Sequence, residues 1–235
     1  KEGGPTMQQL LVHTFQLTKD EFFYSFKEQT YDIKERIFLE SGRGGHYSIA
    51  AWCPFAKATS VEMGLKIDWQ NGETEIRQGE ALAQLEQLVK QYEVKASDTL
   101  PDFQGGAIGF ISYDYARTIE MFDEATMDDL HVPDVFFYLF DHWAVHNVAT
   151  NEVTLMKFAT SELDLEQWQR EWECAAKNGL ATRHFNQEAA TNISQDASEL
   201  QVSFAGAEFE AAVRKIQAYI AQGDVFQVNL SVRQA

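Results

Sequence analysis

The carboxy-terminal stretch restricts the fold more than any other part of the chain. From Gly223 it reads G-D-V-F-Q-V-N-L-S-V-R-Q, with Phe226, Val228, Leu230 and Val232 alternating against Gln227, Asn229, Ser231 and Arg233. A period of two marks a half-buried strand, one face on a core and the other polar. Upstream, Phe209, Ala212, Val213, Ile216, Tyr219 and Ile220 recur at helical spacing, and Gly223 stands where a helix C′ glycine belongs. A lone helix–strand unit buries too little apolar surface to offset the entropy of ordering it. The pattern therefore predicts the front part of a larger protein, with the sheet that receives this strand built from residues beyond the sequence in hand.

At 235 residues the chain has room for one large domain, or for a domain and part of another. Hydrophobic residues make up 45%, including 17 Phe and 5 Trp, enough for a sizeable core and too many for a disordered chain. A formal net charge of −17 argues against a nucleic-acid or anionic-membrane surface, since phosphate binding needs clustered Lys and Arg. No apolar run reaches the length of about 18 residues that spans a bilayer. Cys53 and Cys174 lie far apart and form no C-x-x-C pair, which suits thiols in a reducing cytoplasm. Residues 1–6 carry no signal-peptide core and read as a cloning remnant ahead of Met7.

Along the chain, Phe15–Gln29 is predicted as a helix, and Arg36–Glu40 as a strand entering a glycine-rich turn at Ser41–Gly45. Ser48–Ala51 and Ala58–Lys66 read as strands, and Asn71-Gly72 within Ile67–Ile76 is a hairpin signal. Glu80–Tyr92 is predicted helical; Gly106–Tyr115 and Val135–Val148 are long β-prone segments, with Glu152–Phe158 as hairpin partner to the latter. Ser161–Gly179 is predicted as a helix capped by Ser161 and Asp164 and ended by Gly179. Strands outnumber helices without regular alternation, which predicts an α+β fold: largely antiparallel sheets with flanking helices. The Asn/Gln/Ser-rich stretch sets the domain boundaries: 7–180 as an N-terminal domain, 181–200 as a linker, and 201–235 as the start of a second body.

Catalytic signatures are absent: there is no H-E-x-x-H, no Walker loop, no G-x-S-x-G and no metal-spaced Cys/His cluster. His142 and His146 have a spacing that suits a metal only on a helix, and they fall in a β-prone segment. Glycines inside F-Q-G-G-A-I-G-F at Phe103–Phe110 mark a bulge or a close backbone approach, and Asp114 and Arg117 offer a pair at the strand end. The stretch Leu39–Ile49 places a carboxylate, a hydroxyl, a guanidinium, an imidazole and a phenol around a glycine turn. It reads either as a polar surface turn or as a site for a zwitterion such as an amino acid. Gln227 and Asn229 share one strand face, which either lines a polar cavity or meets solvent.

F-Q-G-G-A-I-G-F-I-S-Y-D-Y-A-R-T-I-E at Phe103–Glu120, I-A-Q-G-D-V-F-Q-V-N-L-S-V-R-Q at Ile220–Gln234 and Leu39-Glu40-Ser41 occur in order. Together they resemble the component I chorismate-utilising enzymes, the family of aminodeoxychorismate synthase component I and anthranilate synthase component I. The Y-D-Y-A-R wording is closer to the aminodeoxychorismate branch. The resemblance implies an N-terminal domain interwoven with a catalytic core, and a parent enzyme that aminates chorismate to 4-amino-4-deoxychorismate for folate synthesis. It also implies ammonia from a glutamine amidotransferase partner and Mg2+ on the substrate carboxylate. Catalytic and metal-binding residues would lie in the core, which begins near Phe204, so the visible part is expected to be inactive. The helix opening at Ala205-Gly206-Ala207 lacks the Ser or Thr cap usual in the family. A tryptophan-type pocket is implied at Glu40, Ser41, Gly44, Gly45, His46 and Tyr47, although the loop is shorter than the family pattern. The alternatives are anthranilate synthase component I and a stand-alone amino-acid-binding sensor module.

Overall fold

The computed structural model describes residues 7–42, 44–120, 128, 130–189 and 205–232, with only the backbone described for 179–189. Residues 1–6, read as a remnant, lie outside these. Contacts divide the chain into two units, Lys1–Asn186 and Gln187–Ala235.

The first unit runs β1 (Leu10–Gln16), α1 (Lys19–Gln29), β2 (Arg36–Leu39), β3 (Tyr47–Trp52), β4 (Ala56–Val61), β5 (Gly64–Trp69) and β6 (Thr74–Gln78). It continues with α2 (Ala81–Lys90), β7 (Ala107–Ile111), a 3-10 turn at Tyr113–Tyr115 leading into α3 (Ala116–Ile119), β8 (Val135–Leu139), β9 (His142–Asn147), β10 (Glu152–Phe158) and α4 (Leu165–Ala189), whose residues up to Asn186 belong to this unit. The strands form two five-stranded antiparallel sheets, ordered β1-β10-β9-β3-β2 and β6-β5-β4-β8-β7. The fold is α+β, as the sequence predicts.

One face of the first sheet packs on α1 and α4, with Phe22, Phe26, Trp52, Trp168 and Trp172 at the contact. Phe22 stacks on Trp172 at 4.8 Å between ring centroids and on His146 at 5.1 Å. The opposite face of that sheet carries a second apolar cluster around Trp143, Val145, Met156 and Phe158. The second sheet packs Ala58, Leu65, Ile67 and Leu139 against Leu85 and Leu88 of α2. Gly109 of β7 has to be glycine: a Cβ there would stand 1.9 Å from the Phe136 carbonyl oxygen of β8. The close approach expected of this glycine stretch is thus a strand-to-strand contact.

Several boundaries differ from the sequence reading. Phe15 belongs to β1, and α1 starts only at Lys19, where a capping box sets the register. Thr18 Oγ1 accepts the Glu21 N–H at 3.3 Å and the Glu21 carboxylate accepts the Thr18 N–H at 2.7 Å. Ala58–Lys66 turns back on itself between β4 and β5. The predicted Gly106–Tyr115 segment keeps its strand only to Ile111, because Ser112 caps the 3-10 turn by accepting the Tyr115 N–H on its hydroxyl. Val135–Val148 is two strands that belong to different sheets, with the crossing at Phe140-Asp141. Asp164 caps α4 through the Gln167 N–H at 2.7 Å, while the Ser161 carbonyl instead accepts from the buried Lys157 ammonium at 2.8 Å. The helix passes through Gly179 and reaches Ala189, so the first residues of the stretch read as a linker are helical. Glycine halts a helix only where it adopts a left-handed conformation, and Gly179 does not.

In the second unit α5 (Gly206–Gln222) ends at Gly223, which takes the left-handed conformation at φ 82°. Ala205 has no side-chain oxygen to cap the helix, so only the reverse bond forms, from the Ala205 N–H to the Glu208 carboxylate at 2.9 Å. The predicted strand at 226–232 is not formed. Among the described residues no strand pairs with it, and Phe226 is 92% exposed. Alternation makes a segment competent for a sheet, but the neighbouring ladder is what makes it a strand.

Candidate functional site in the turn between β2 and β3

Leu39 pairs with Ile49 at the turn end of the β2–β3 hairpin, and residues 40–42 and 44–46 are the described part of the turn beyond it. Three bonds fix this turn. The Ser41 N–H donates to the Ser48 hydroxyl at 3.0 Å, the Gly45 N–H donates to the Gly42 carbonyl at 3.2 Å, and the Glu40 carboxylate pairs with the Lys19 ammonium of α1 at 2.8 Å. Gly44 has φ 79°, in the region where only glycine is unstrained. Gly45 leaves room for its neighbour, since a Cβ there would come within 2.6 Å of Ser41 Oγ.

Ser41 Oγ is the chemically open group. It is buried, and among the described residues nothing donates to it or accepts from it. A buried hydroxyl without a partner loses its hydration for no return, which makes Ser41 the candidate position of this turn.

The six residues implied by the resemblance are only partly gathered. Glu40, Ser41, Gly44 and Gly45 share the turn. His46 is exposed, with its carbonyl accepting from the Val148 N–H at 2.9 Å and its ring edge-on to Tyr47 at 6.5 Å. Tyr47 sends its side chain to the face that carries the Trp143–Val145 cluster, opposite the face that buries Ser48 and Ala50. Successive residues of a strand point to opposite faces, so Tyr47 and Ser48 cannot serve one pocket on the same side. Arg43 lies outside the described residues.

Lys19 escaped the sequence reading; Ser48 was read only as the start of a strand, and His146 was weighed only with His142 as a metal pair, not as a neighbour of this turn. His146 is fully buried on the face that Ser48 shares, and pairs with Ser48 across β3 and β9. Its Nε2 bonds the Leu17 carbonyl at 3.0 Å, just before α1, while Nδ1 has no partner among the described residues. Burial pushes its pKa down from 6.5, the Leu17 bond acts against this, and the Lys19 charge adds to the lowering. His142 instead bonds Asp141 at 2.6 Å, so the two histidines have separate structural partners. Among the described residues no group of three or more His, Cys, Asp or Glu is placed to hold a metal ion.

An open cavity of about 680 Å3 borders the second sheet, lined in part by Glu62, Glu80, Tyr115 and Asp134. Two of its three carboxylates serve the fold: Glu80 caps α2 through the Leu82 and Ala83 N–H groups and accepts the Tyr115 hydroxyl, and Asp134 accepts from Ser112 at 2.8 Å. The Tyr115 hydroxyl and the cap together hold the Glu80 carboxyl below its ordinary range. The expected Asp114–Arg117 pair is present at 3.0 Å, and both cysteines are free. No helix among the described residues is long and apolar enough to cross a membrane.

The class follows from comparison with known sequences. Residues 34–235 match the family of chorismate binding enzymes, and the chain belongs to that family. The matched span includes both the β2–β3 turn and the alternating segment at 226–232. Among individual relatives, the chain is 35% identical over 223 residues to aminodeoxychorismate synthase component 1 of Bacillus subtilis (strain 168), covering 92% of this chain and 46% of that protein. It is 28% identical over 243 residues to anthranilate synthase component 1 of Aquifex aeolicus (strain VF5), covering 97% of this chain and 47% of that protein. Anthranilate synthase component I from Streptococcus pneumoniae TIGR4 superposes with a TM-score of 0.48 at 22% identity, over 81% of this chain and 41% of that one. The chain thus spans a little under half the length of the relatives it matches.

Proposed function

We propose that the intact protein aminates chorismate to 4-amino-4-deoxychorismate, with ammonia supplied by a glutamine amidotransferase partner in the cytoplasm. The observation that carries this reading is the 35% identity to the Bacillus subtilis aminodeoxychorismate synthase component, sustained over 92% of the chain. Mg2+ would neutralise the substrate carboxylate. We assign its ligands and the catalytic groups to the core that begins near Phe204, as the resemblance implies. The part of the described residues is to carry an amino-acid site in the β2–β3 turn, where the Ser41 hydroxyl, without a partner among them, would bond a tryptophan-sized zwitterion.

The test is product analysis of the intact protein with chorismate, Mg2+ and ammonium. Accumulation of 4-amino-4-deoxychorismate is expected. Anthranilate as the product would move the protein to the other branch, a reading favoured by the Aquifex relative that matches 97% of the chain. With neither product, and with thermal stabilisation by tryptophan, a sensor module would replace both.

A further inference from the structure

We infer that Lys19 is a positioning residue for the amino-acid site, acting through Glu40 to hold the turn that presents the Ser41 hydroxyl. The inference rests on the reading of that turn as a ligand site. Lys19 occupies the first position of α1, where the helix dipole disfavours a cation and where Asp20 and Glu21 follow the expected acidic preference. The capping box already satisfies the helix start through Thr18 and Glu21, so the helix itself has no use for a lysine there. The ammonium instead spans to Glu40, a residue of the turn, at 2.8 Å.

The base from which Lys19 reaches is rigid. Phe22 and Phe26 of α1 are buried, and with Phe23 they surround Phe38, two residues before Glu40, at 5.0–5.8 Å between ring centroids. The carbonyl of Leu17, two residues before Lys19, is held by His146. The turn is therefore tied at Glu40 to α1 and at Ser41 to Ser48 of β3, and the Ser41 hydroxyl, unbonded among the described residues, lies beside these two ties. Glu40, already paired, is not a free anion for the ligand's ammonium group. Its role is to transmit the position of α1 to the serine beside it.

The experiment uses the intact protein and the variants Lys19→Met, Lys19→Arg, Glu40→Gln and the double variant Lys19→Met/Glu40→Gln. Without ligand, hydrogen–deuterium exchange in the segment 40–47 should quicken in Lys19→Met and return to normal in Lys19→Arg. Adding Lys19→Met to Glu40→Gln should change nothing further. Unchanged exchange in Lys19→Met, or effects that simply add in the double variant, overturns the inference. With L-tryptophan as the probe, calorimetry should show about two- to fivefold weaker binding to Lys19→Met, the scale of an exposed ion pair. Equal affinity overturns the inference and leaves the pocket reading standing. If tryptophan fails to bind the unaltered protein, the pocket reading falls, and the exchange experiment alone decides whether Lys19 holds the turn.

Discussion

The two sheets of the first unit have the same number of strands and the same antiparallel pairing, yet they meet their surroundings differently. In the first, β9 is buried from Trp143 to His146 and β10 from Val153 to Phe158, because α1 and α4 cover one face and a second apolar cluster covers the other. In the second, α2 covers one face and the edge strands are open: Ile76 of β6 is 60% exposed and Ile111 of β7 is 49% exposed. The run Val153-Thr154-Leu155-Met156-Lys157-Phe158 carries apolar residues on both of its faces and is buried throughout, as a strand covered on both sides should be, whereas Thr74–Gln78 has a single apolar residue, Ile76. The candidate turn grows from the sheet that is packed on both sides. A binding loop on a rigid platform keeps its geometry without having to supply rigidity itself.

The widest test of this contrast is truncation of one side chain in each sheet. Leu155→Ala, at a fully buried position, should destabilise by about 2–5 kcal/mol through lost transfer energy and a residual cavity. Ile76→Ala, on the open edge, should cost less than about 1 kcal/mol. Chemical denaturation reads both, and equal losses would abolish the distinction. Gly109→Ala comes next. Its Cβ collides with the Phe136 backbone, and relieving that overlap should cost about 1–3 kcal/mol although β7 is an edge strand. A neutral result would mean that β7 and β8 part easily, making the second sheet looser than its ladder suggests.

These contrasts also explain what the sequence revealed and what it withheld. The Asn71-Gly72 hairpin, the α2 stripe and the β9–β10 pair were legible because turn chemistry and periodicity are local. The crossing at Phe140-Asp141 was not. An uninterrupted aromatic segment has no glycine or proline where it leaves one sheet for the other, and only the pairing partners decide where it does so. β1 was hidden because an edge strand with mixed burial lacks clean alternation. At the site, the position of the turn was legible from its glycines. The Lys19–Glu40 tie was not, since it joins a helix start to a hairpin end through tertiary packing. The course of Tyr47 to the opposite sheet face was readable from the two-residue period, but the resemblance favoured treating the whole stretch as one lining.

The smallest expected effects separate the sheets by pH. His146 in the first sheet has a folded pKa below 6.5, so the unfolded chain binds its proton more readily. Stability is therefore complete above about pH 6.5 and falls as the pH drops through that value, by no more than about 1.4 kcal/mol per pH unit for one group. His146→Phe should remove this component, and salt should leave it nearly unchanged because the ring is buried. Asp68 lies on the face of the second sheet away from α2, at a partly exposed position. Its partial burial alone would raise its pKa, but hydrogen bonds from Lys66 and Thr74 and the charges of Lys66 and Lys57 hold it below 3.8. Its contribution is present above that value and is lost only as the pH falls further. Asp68→Asn should cost less than about 1 kcal/mol at neutral pH and less again in high salt. A denaturation series from pH 7 to pH 3 should therefore show a salt-insensitive loss first and a salt-sensitive one later. One merged, salt-sensitive transition would mean that His146 is not sealed from solvent, and that the first sheet is less firmly packed than the turn it carries requires.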